Sequence, residues 1–406
     1  MDYGIVFDTK PRKRDRILFL LIALMLSVFC ILKVLRGSDV GSDAEGGIWN
    51  YISLFYYPVF LFALFLKRNQ KLKISALFVS AVLYVIFAMG SALSNAKWEL
   101  DFYTFYRFLM IPYAILVFLT FYLCSERSNF GEKIILAGYF FCLALNLFTS
   151  INYLFLGAEE AQQSDIYFSL GLFPFAVLFL KKKSIRIVTF VLQFSAVFMV
   201  DKRTALISYA VALVLFLLIN TRVKGKNKFW NTLGAIVLLI VVFTLFYVVT
   251  KYFDDKYNFR IYYRLFRLAE DGGSGRADIY QRIWDGYKQS SIMEKVFGHG
   301  MNTAGKIGGA SQAHNDFLEI LYDYGIINVL FVALFYVSLI INGVRLVIRK
   351  SPYAASFALS LVIGLFLAFF SYFLIYFTYV TCIMAFWGYV LCMEKKRLIK
   401  KGEEKI

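Results

Sequence analysis

Two histidines, His299 and His314, share one polar stretch running from about Lys251 to Gly325. Histidine is the usual general base or acid near neutral pH. His314 stands in Ala313-His314-Asn315-Asp316-Phe317-Leu318-Glu319. Ser311 would serve as an N-cap, so the pattern predicts a helix starting there. His314 would then lie one or two turns in, with Phe317, Leu318 and Leu321 on its face. Two uses fit it: a base that takes a proton, or a structural histidine bonded to a loop carbonyl. His299 lies between Gly298 and Gly300, which suits a local hydrogen-bonding role better. No base, nucleophile or metal partner is spaced to match it. Neither an HExxH motif nor a carboxylate cluster is present, so no metal site and no cofactor is expected.

Arginine offers a planar, permanently charged fork suited to phosphate oxygens. Arg203 lies in Val200-Asp201-Lys202-Arg203-Thr204, at the end of an apolar run. A charge at a span end is costly and is a functional candidate. Arg203 is either a phosphate ligand paired with Asp201 or a residue snorkelling to the interface. Arg276 opens a second helical piece, and Arg107, in Tyr106-Arg107-Phe108, is a further member of the set. Two or three such cations around a histidine would suit a diphosphate leaving group and a hydroxyl to be activated. The stretch also holds Tyr257, Tyr262, Tyr263, Tyr280, Trp284 and Tyr287. These rings can stack on sugars or anchor at a membrane interface.

The elements that position these residues are apolar. The 406 residues are 60% hydrophobic and 17% charged, against about 25% charged in a soluble protein. The apolar residues form continuous blocks of roughly 20, long enough to cross a bilayer core of ~30 Å as helices. Twelve candidate spans lie near 17–35, 48–66, 74–93, 105–124, 134–156, 166–180, 187–200, 205–220, 231–250, 326–346, 354–375 and 377–393. The first block is too long for the apolar core of a signal peptide and no small-residue cleavage site follows it. The expected fold is an all-α polytopic membrane bundle of about 12 transmembrane helices. One large, partly helical extracytoplasmic loop interrupts it. Residues 1–250 carry nine spans, 251–325 the loop, 326–393 three spans, and 394–406 a basic tail.

Charge supports this order. With the N-terminus in the cytoplasm and strict alternation, 28 basic and 8 acidic residues fall inside, and 16 basic and 19 acidic outside. The net +17 is thus +20 inside and −3 outside, the positive-inside asymmetry. Both termini are expected in the cytoplasm and the polar loop on the far side. The basic balance is therefore topological, and no nucleic-acid partner is expected. Cys30, Cys124, Cys142, Cys382 and Cys392 all sit in or at the ends of spans, so neither a disulfide framework nor a cysteine metal site is supported.

Within the loop, three helical pieces are expected. In Asn258 to Glu270, Arg260, Arg264 and Arg267 share one face, fit either for the headgroup layer or for packing on the bundle. Arg276 to Gln289 follows Gly272-Gly273-Ser274-Gly275 and has an apolar stripe of Ile279, Ile283 and Tyr287. A glycine-rich turn, Val296 to Gly300, separates it from the piece carrying His314.

Three segments, in order, resemble the bacterial O-antigen ligase and polymerase family: Asp201-Lys202-Arg203-Thr204-Ala205-Leu206 opening a span; Gly275-Arg276-Ala277-Asp278-Ile279-Tyr280 with Trp284 and Phe297-Gly298-His299-Gly300 downstream; and Ala313 to Glu319 followed by Gly325 and a long apolar run. The likeness is sharp over about residues 200–345. It implies a metal-independent glycosyltransferase of the cytoplasmic (inner) membrane with an extracytoplasmic active site, whose donor is a glycan on undecaprenyl diphosphate. By resemblance, Arg203 and Arg276 would hold the donor diphosphate and His314 would activate the acceptor hydroxyl. The Asp-Lys-Arg wording departs from the Ser-Arg or Thr-Arg form of many members, which brings in Lys202 as a substitute for Arg203.

The function expected is a polymerase joining undecaprenyl-diphosphate-linked repeat units of O-antigen, capsule or exopolysaccharide. The alternative within the family is the ligase that moves the glycan to lipid A–core. A lipid-linked-sugar flippase or other transporter is the alternative from another class. Internal repeats and broken, polar midplane helices would mark it, whereas these spans are poor in charge. Expected partners are the lipid-linked oligosaccharide, membrane lipid, a flippase and a chain-length regulator.

Overall fold

A computed structural model describes residues 13–36, 54, 56–67, 75–94, 102–156, 165–200, 202–224, 244, 247–248, 251–252, 255–256, 275–309, 313–371, 373–374 and 379–402. Among them there are helices and no strand. In chain order the helices are α1 (Lys13–Arg36), α2 (Tyr56–Lys67), α3 (Ala76–Ser94), α4 (Phe102–Cys124), α5 (Asn129–Leu156), α6 (Ile166–Phe179), α7 (Lys183–Met199), α8 (Arg203–Lys224), α9 (Arg276–Gln289), α10 (Ile292–Phe297), α11 (Thr303–Gly308), α12 (Asp316–Ile348), α13 (Ala354–Phe370) and α14 (Val380–Lys401). Each expected span except 231–250 coincides with a helix. That span, the helix Asn258 to Glu270 and its arginines, Asp201, and Lys10 and Arg12 of the N-terminal basic cluster lie wholly or mostly outside the described residues.

Six of these helices (α1, α3, α4, α5, α8 and α12) are long and apolar enough to cross a membrane, and α6 and α13 are shorter apolar helices. Burial shows how they are solvated. Along α12 the exposed residues Ile326, Leu330, Leu334, Val337, Ile341, Val344 and Ile348 form one stripe at helical spacing. At 1.5 Å per residue the stripe is about 33 Å long, close to a bilayer core of ~30 Å. On α1, Ile17, Leu21, Leu24, Val28 and Leu35 form a similar stripe. On α7 the polar Thr189 and Gln193 face inward while Ile187, Val188 and Val191 face outward. A soluble protein does the reverse. These surfaces are built for lipid, and the chain is a polytopic membrane protein.

The chain divides into two compact units, with the division running through α3, α4 and α8. The first comprises residues 1–79, 105–205 and 376–406. There, α6 is apolar on every side and is buried from Ile166 to Val177, as a helix without a polar face must be. Asn146 on α5 donates to the Ser169 hydroxyl on α6 (2.9 Å), and Tyr139 donates to Gln193 on α7 (3.2 Å). These bonds satisfy polar side chains that would be costly in lipid. The second unit, residues 80–104 and 206–375, contains α9 to α13.

Candidate active site

The second unit builds its polar region on α9 and the start of α12. Ile283 of α9 is fully buried with Ala304, Ala313 and Tyr322, and Ile279 and Tyr287 pack against them. This is the stripe expected from the spacing. It fixes the rotation of α9, and Arg276 and Tyr280, one turn apart, lie on the same side of the helix as that stripe. The Arg276 guanidinium donates to the Phe370 carbonyl at the end of α13. The Tyr280 hydroxyl donates to the His314 carbonyl at 3.0 Å. Burial raises the Tyr280 phenol above its usual range, while the Arg276 charge and a hydrogen bond with the Asn315 side chain pull it back. The phenol therefore keeps its proton and remains a donor at neutral pH.

His314 is placed differently from expectation. It lies two residues before α12 rather than inside a helix, and its φ is 55°. Asn315 is the N-cap, its side-chain oxygen accepting from the Leu318 amide at 3.1 Å. Ser311, the expected cap, lies outside the described residues. The reason is local. Asparagine is as good a cap as serine, and capping at 315 lets the acids at 316 and 319 occupy the first turn, where the helix dipole favours them.

A left-handed φ is uncommon for any residue but glycine, and it persists only where the surroundings impose it. Here they do. The Ala313 amide donates to Glu319 Oε2 (3.0 Å), the His314 carbonyl accepts from Tyr280, and Asn315 caps the helix. The imidazole itself is half-buried.

Three carboxylates on one face of α12 tie this region together. Asp316, Glu319 and Asp323 are all buried, and their spacing of three and four stacks them. Asp316 accepts from the amides of Phe373 (3.1 Å) and Leu374 (2.7 Å). Glu319 holds Ala313. Asp323 accepts from the amides of Asn302 (2.9 Å), Thr303 (3.0 Å) and Ala304 (2.7 Å) and from the Thr303 hydroxyl (2.9 Å). It thereby caps α11 from a distance. Such acids are affordable near a membrane only when their acceptors are filled.

The glycine-rich turn is a backbone crossing. The His299 amide donates to the Tyr322 carbonyl (3.0 Å) and the Gly300 amide to the Asp323 carbonyl (2.9 Å). Gly298 (φ 84°) and Gly325 (φ 82°) make it possible. A Cβ at Gly298 would lie 2.2 Å from the Asp323 oxygen, and one at Gly325 would lie 2.2 Å from the Val296 oxygen. His299 serves the crossing. Its ring stacks on Tyr322 at 4.1 Å, Nε2 is 2.9 Å from the Ser290 hydroxyl and Nδ1 is 3.1 Å from the Tyr322 carbonyl. Both ring nitrogens are engaged within the fold, as a structural histidine requires.

Of the residues singled out in sequence, Arg276 and His314 belong to this unit and are linked through Tyr280. Arg107, Lys202 and Arg203 belong to the first unit. Arg107 is buried in the second turn of α4. Lys202 places its ammonium 5.9 Å from the Tyr167 ring, within cation–π range. Arg203 is the first residue of α8 and half-buried. Asn315, Asp316 and Glu319 had no task assigned from sequence, and Tyr280 was read there only as a ring for stacking or interfacial anchoring. The available signal was two acids in the first turn of a helix that continues as an apolar span, a costly placement unless each is pinned.

Fold and site thus define a polytopic membrane protein with a histidine, an arginine and buried carboxylates organised where apolar helices meet a polar segment. Residues 188–333 match the family model described as O-antigen ligase. The matched stretch contains Lys202, Arg203, Arg276 and His314 and excludes Arg107. It supports assignment of the chain to the O-antigen ligase and polymerase family, and it suggests a glycosyl-transferring enzyme. No curated protein matches the chain.

Proposed function

We propose that this chain is a polymerase that joins undecaprenyl-diphosphate-linked repeat units at the outer face of the cytoplasmic membrane, making O-antigen, capsule or exopolysaccharide without a metal ion. The observation that carries the reading is the imposed backbone of His314, held by Tyr280, Glu319 and Asn315 inside a stretch that matches the family. A strained, over-determined residue is where a fold stores a functional geometry.

In this reading His314 takes the proton from the acceptor hydroxyl as its oxygen bonds to the anomeric carbon. The bond from that carbon to the diphosphate oxygen breaks, and undecaprenyl diphosphate leaves with the electron pair. Arg276 meets the charge that develops on the leaving group. Arg203, with Lys202 as its substitute, and Arg107 are assigned to binding the donor diphosphate. A flippase delivering the donor and a chain-length regulator are the partners such a reaction calls for. Both termini are assigned to the cytoplasm.

A ligase reading is favoured by one observation, the description of the matching family as O-antigen ligase. Deletion of the gene followed by gel analysis of surface glycan distinguishes the two. Surface material reduced to single repeats supports the polymerase. Full-length polymer left unattached supports the ligase. An unchanged glycan profile would overturn both.

A further inference from the structure

Tyr280 holds the residues on either side of one peptide unit. Its hydroxyl donates to the carbonyl of His314 at 3.0 Å and is hydrogen-bonded to the side chain of Asn315. The phenol has one proton, which goes to the His314 carbonyl, so Asn315 turns its amide NH2 to the phenol oxygen. The phenol therefore donates to one residue and accepts from the next. Glu319 holds the amide of the preceding residue, Ala313. Residue 314, at φ 55°, is thus set from both sides, and the Tyr280 bond reaches it from outside the His314–α12 segment. It comes from α9, one turn after Arg276. Ile283, fully buried, and Ile279 and Tyr287, packed beside it, leave α9 little freedom to rotate.

We propose that Tyr280 is a positioning residue for His314, making the alignment of the base depend on the helix that carries the donor-binding arginine. The inference rests on the reading of His314 as the base. Tyr280 touches no reacting atom in it. It sets the peptide from which the imidazole projects, so displacement of α9 at Arg276 is transmitted to the proton acceptor. Donor binding and acceptor activation are then coupled through one side chain.

Tyr280→Phe removes the hydroxyl and leaves the ring. The test uses the full chain in lipid nanodiscs, with lipid-linked glycan extracted from membranes of the deletion strain as both donor and acceptor. Loss of one positioning bond should lower kcat about tenfold with KM changed less than twofold. The ratio of rates in H2O and D2O should rise, because a misaligned base makes proton transfer more rate-limiting. That ratio is unaffected by a smaller fraction of folded enzyme. A kcat within twofold of wild type would overturn the proposal, as would a lower kcat with an unchanged isotope ratio. Absence of transfer by the wild-type chain would instead overturn the function on which it rests.

Discussion

The crossing of residues 298–300 over 322–325 gives a sharp structural test. In Gly325→Ala the new methyl would sit 2.2 Å from the Val296 oxygen, 2.5 Å from its carbon and 2.6 Å from the Phe297 nitrogen. All three are backbone atoms, so no side chain can swing aside. The two backbones must part by roughly 1 Å to restore ordinary contact. The bonds His299 N–H to Tyr322 (3.0 Å) and Gly300 N–H to Asp323 (2.9 Å) then fail. Each is worth about 1 kcal/mol, and a side chain at φ 82° adds about 1–3 kcal/mol of strain. The total is about 3–5 kcal/mol. If local opening governs exchange, the amides of 299 and 300 should exchange about 10²- to 10⁴-fold faster. Hydrogen exchange read by mass spectrometry on peptides covering 296–304, in detergent or nanodiscs, measures this. Gly275→Ala is the control. Gly275 also has positive φ (75°), but nothing lies within 4 Å of its added Cβ. It should cost only about 1–2 kcal/mol and leave 299 and 300 protected. Exchange in Gly325→Ala within threefold of wild type would refute the reasoning.

Two further outcomes are expected. Arg276→Lys should lower transfer about tenfold or more, because a point charge does not reproduce the guanidinium fork. Wild-type kinetics with the extracted lipid-linked glycan would show that Arg276 only opens its helix. At the start of α10, Ser291 and Glu294 form a capping box, and hydrogen bonds from Ser291 hold the Glu294 carboxyl below its usual range. A depressed carboxyl contributes stability above the unfolded pKa of about 4.5 and loses it as pH falls through the folded value. Protection factors for 291–297 should therefore be constant near neutrality and fall only below about pH 4.5, and Glu294→Gln should flatten that fall.

The helices were legible because their signal is local. Continuous apolar runs mark α1 to α8 and α12 to α14 whatever packs beside them, and the stripe of Ile279, Ile283 and Tyr287 places α9. The arrangement around His314 was not, because it depends on distant partners. Asp316 binds amides at 373 and 374, and Asp323 caps a six-residue helix at 303 that has little tendency to form alone. The left-handed backbone of His314 follows from Tyr280 and Glu319, neither of which the motif marks as its partner. His299 was legible as a hydrogen-bonding residue but not in its partners, which are Ser290 and Tyr322 rather than its own turn. Ser311 misled, because serine and Asn315 are equivalent as caps in sequence and the acids at 316 and 319 decide between them.

The central claim is that His314 activates the acceptor hydroxyl. Its most direct test compares purified wild type and His314→Ala in nanodiscs, with lipid-linked glycan from the deletion strain, scoring glycan lengthening on gels. A positioned general base supplies about 10²- to 10⁴-fold. The variant should lose at least a hundredfold in rate while keeping wild-type exchange protection at 299 and 300. A correctly folded His314→Ala protein that extends glycan within threefold of the wild-type rate would contradict the claim.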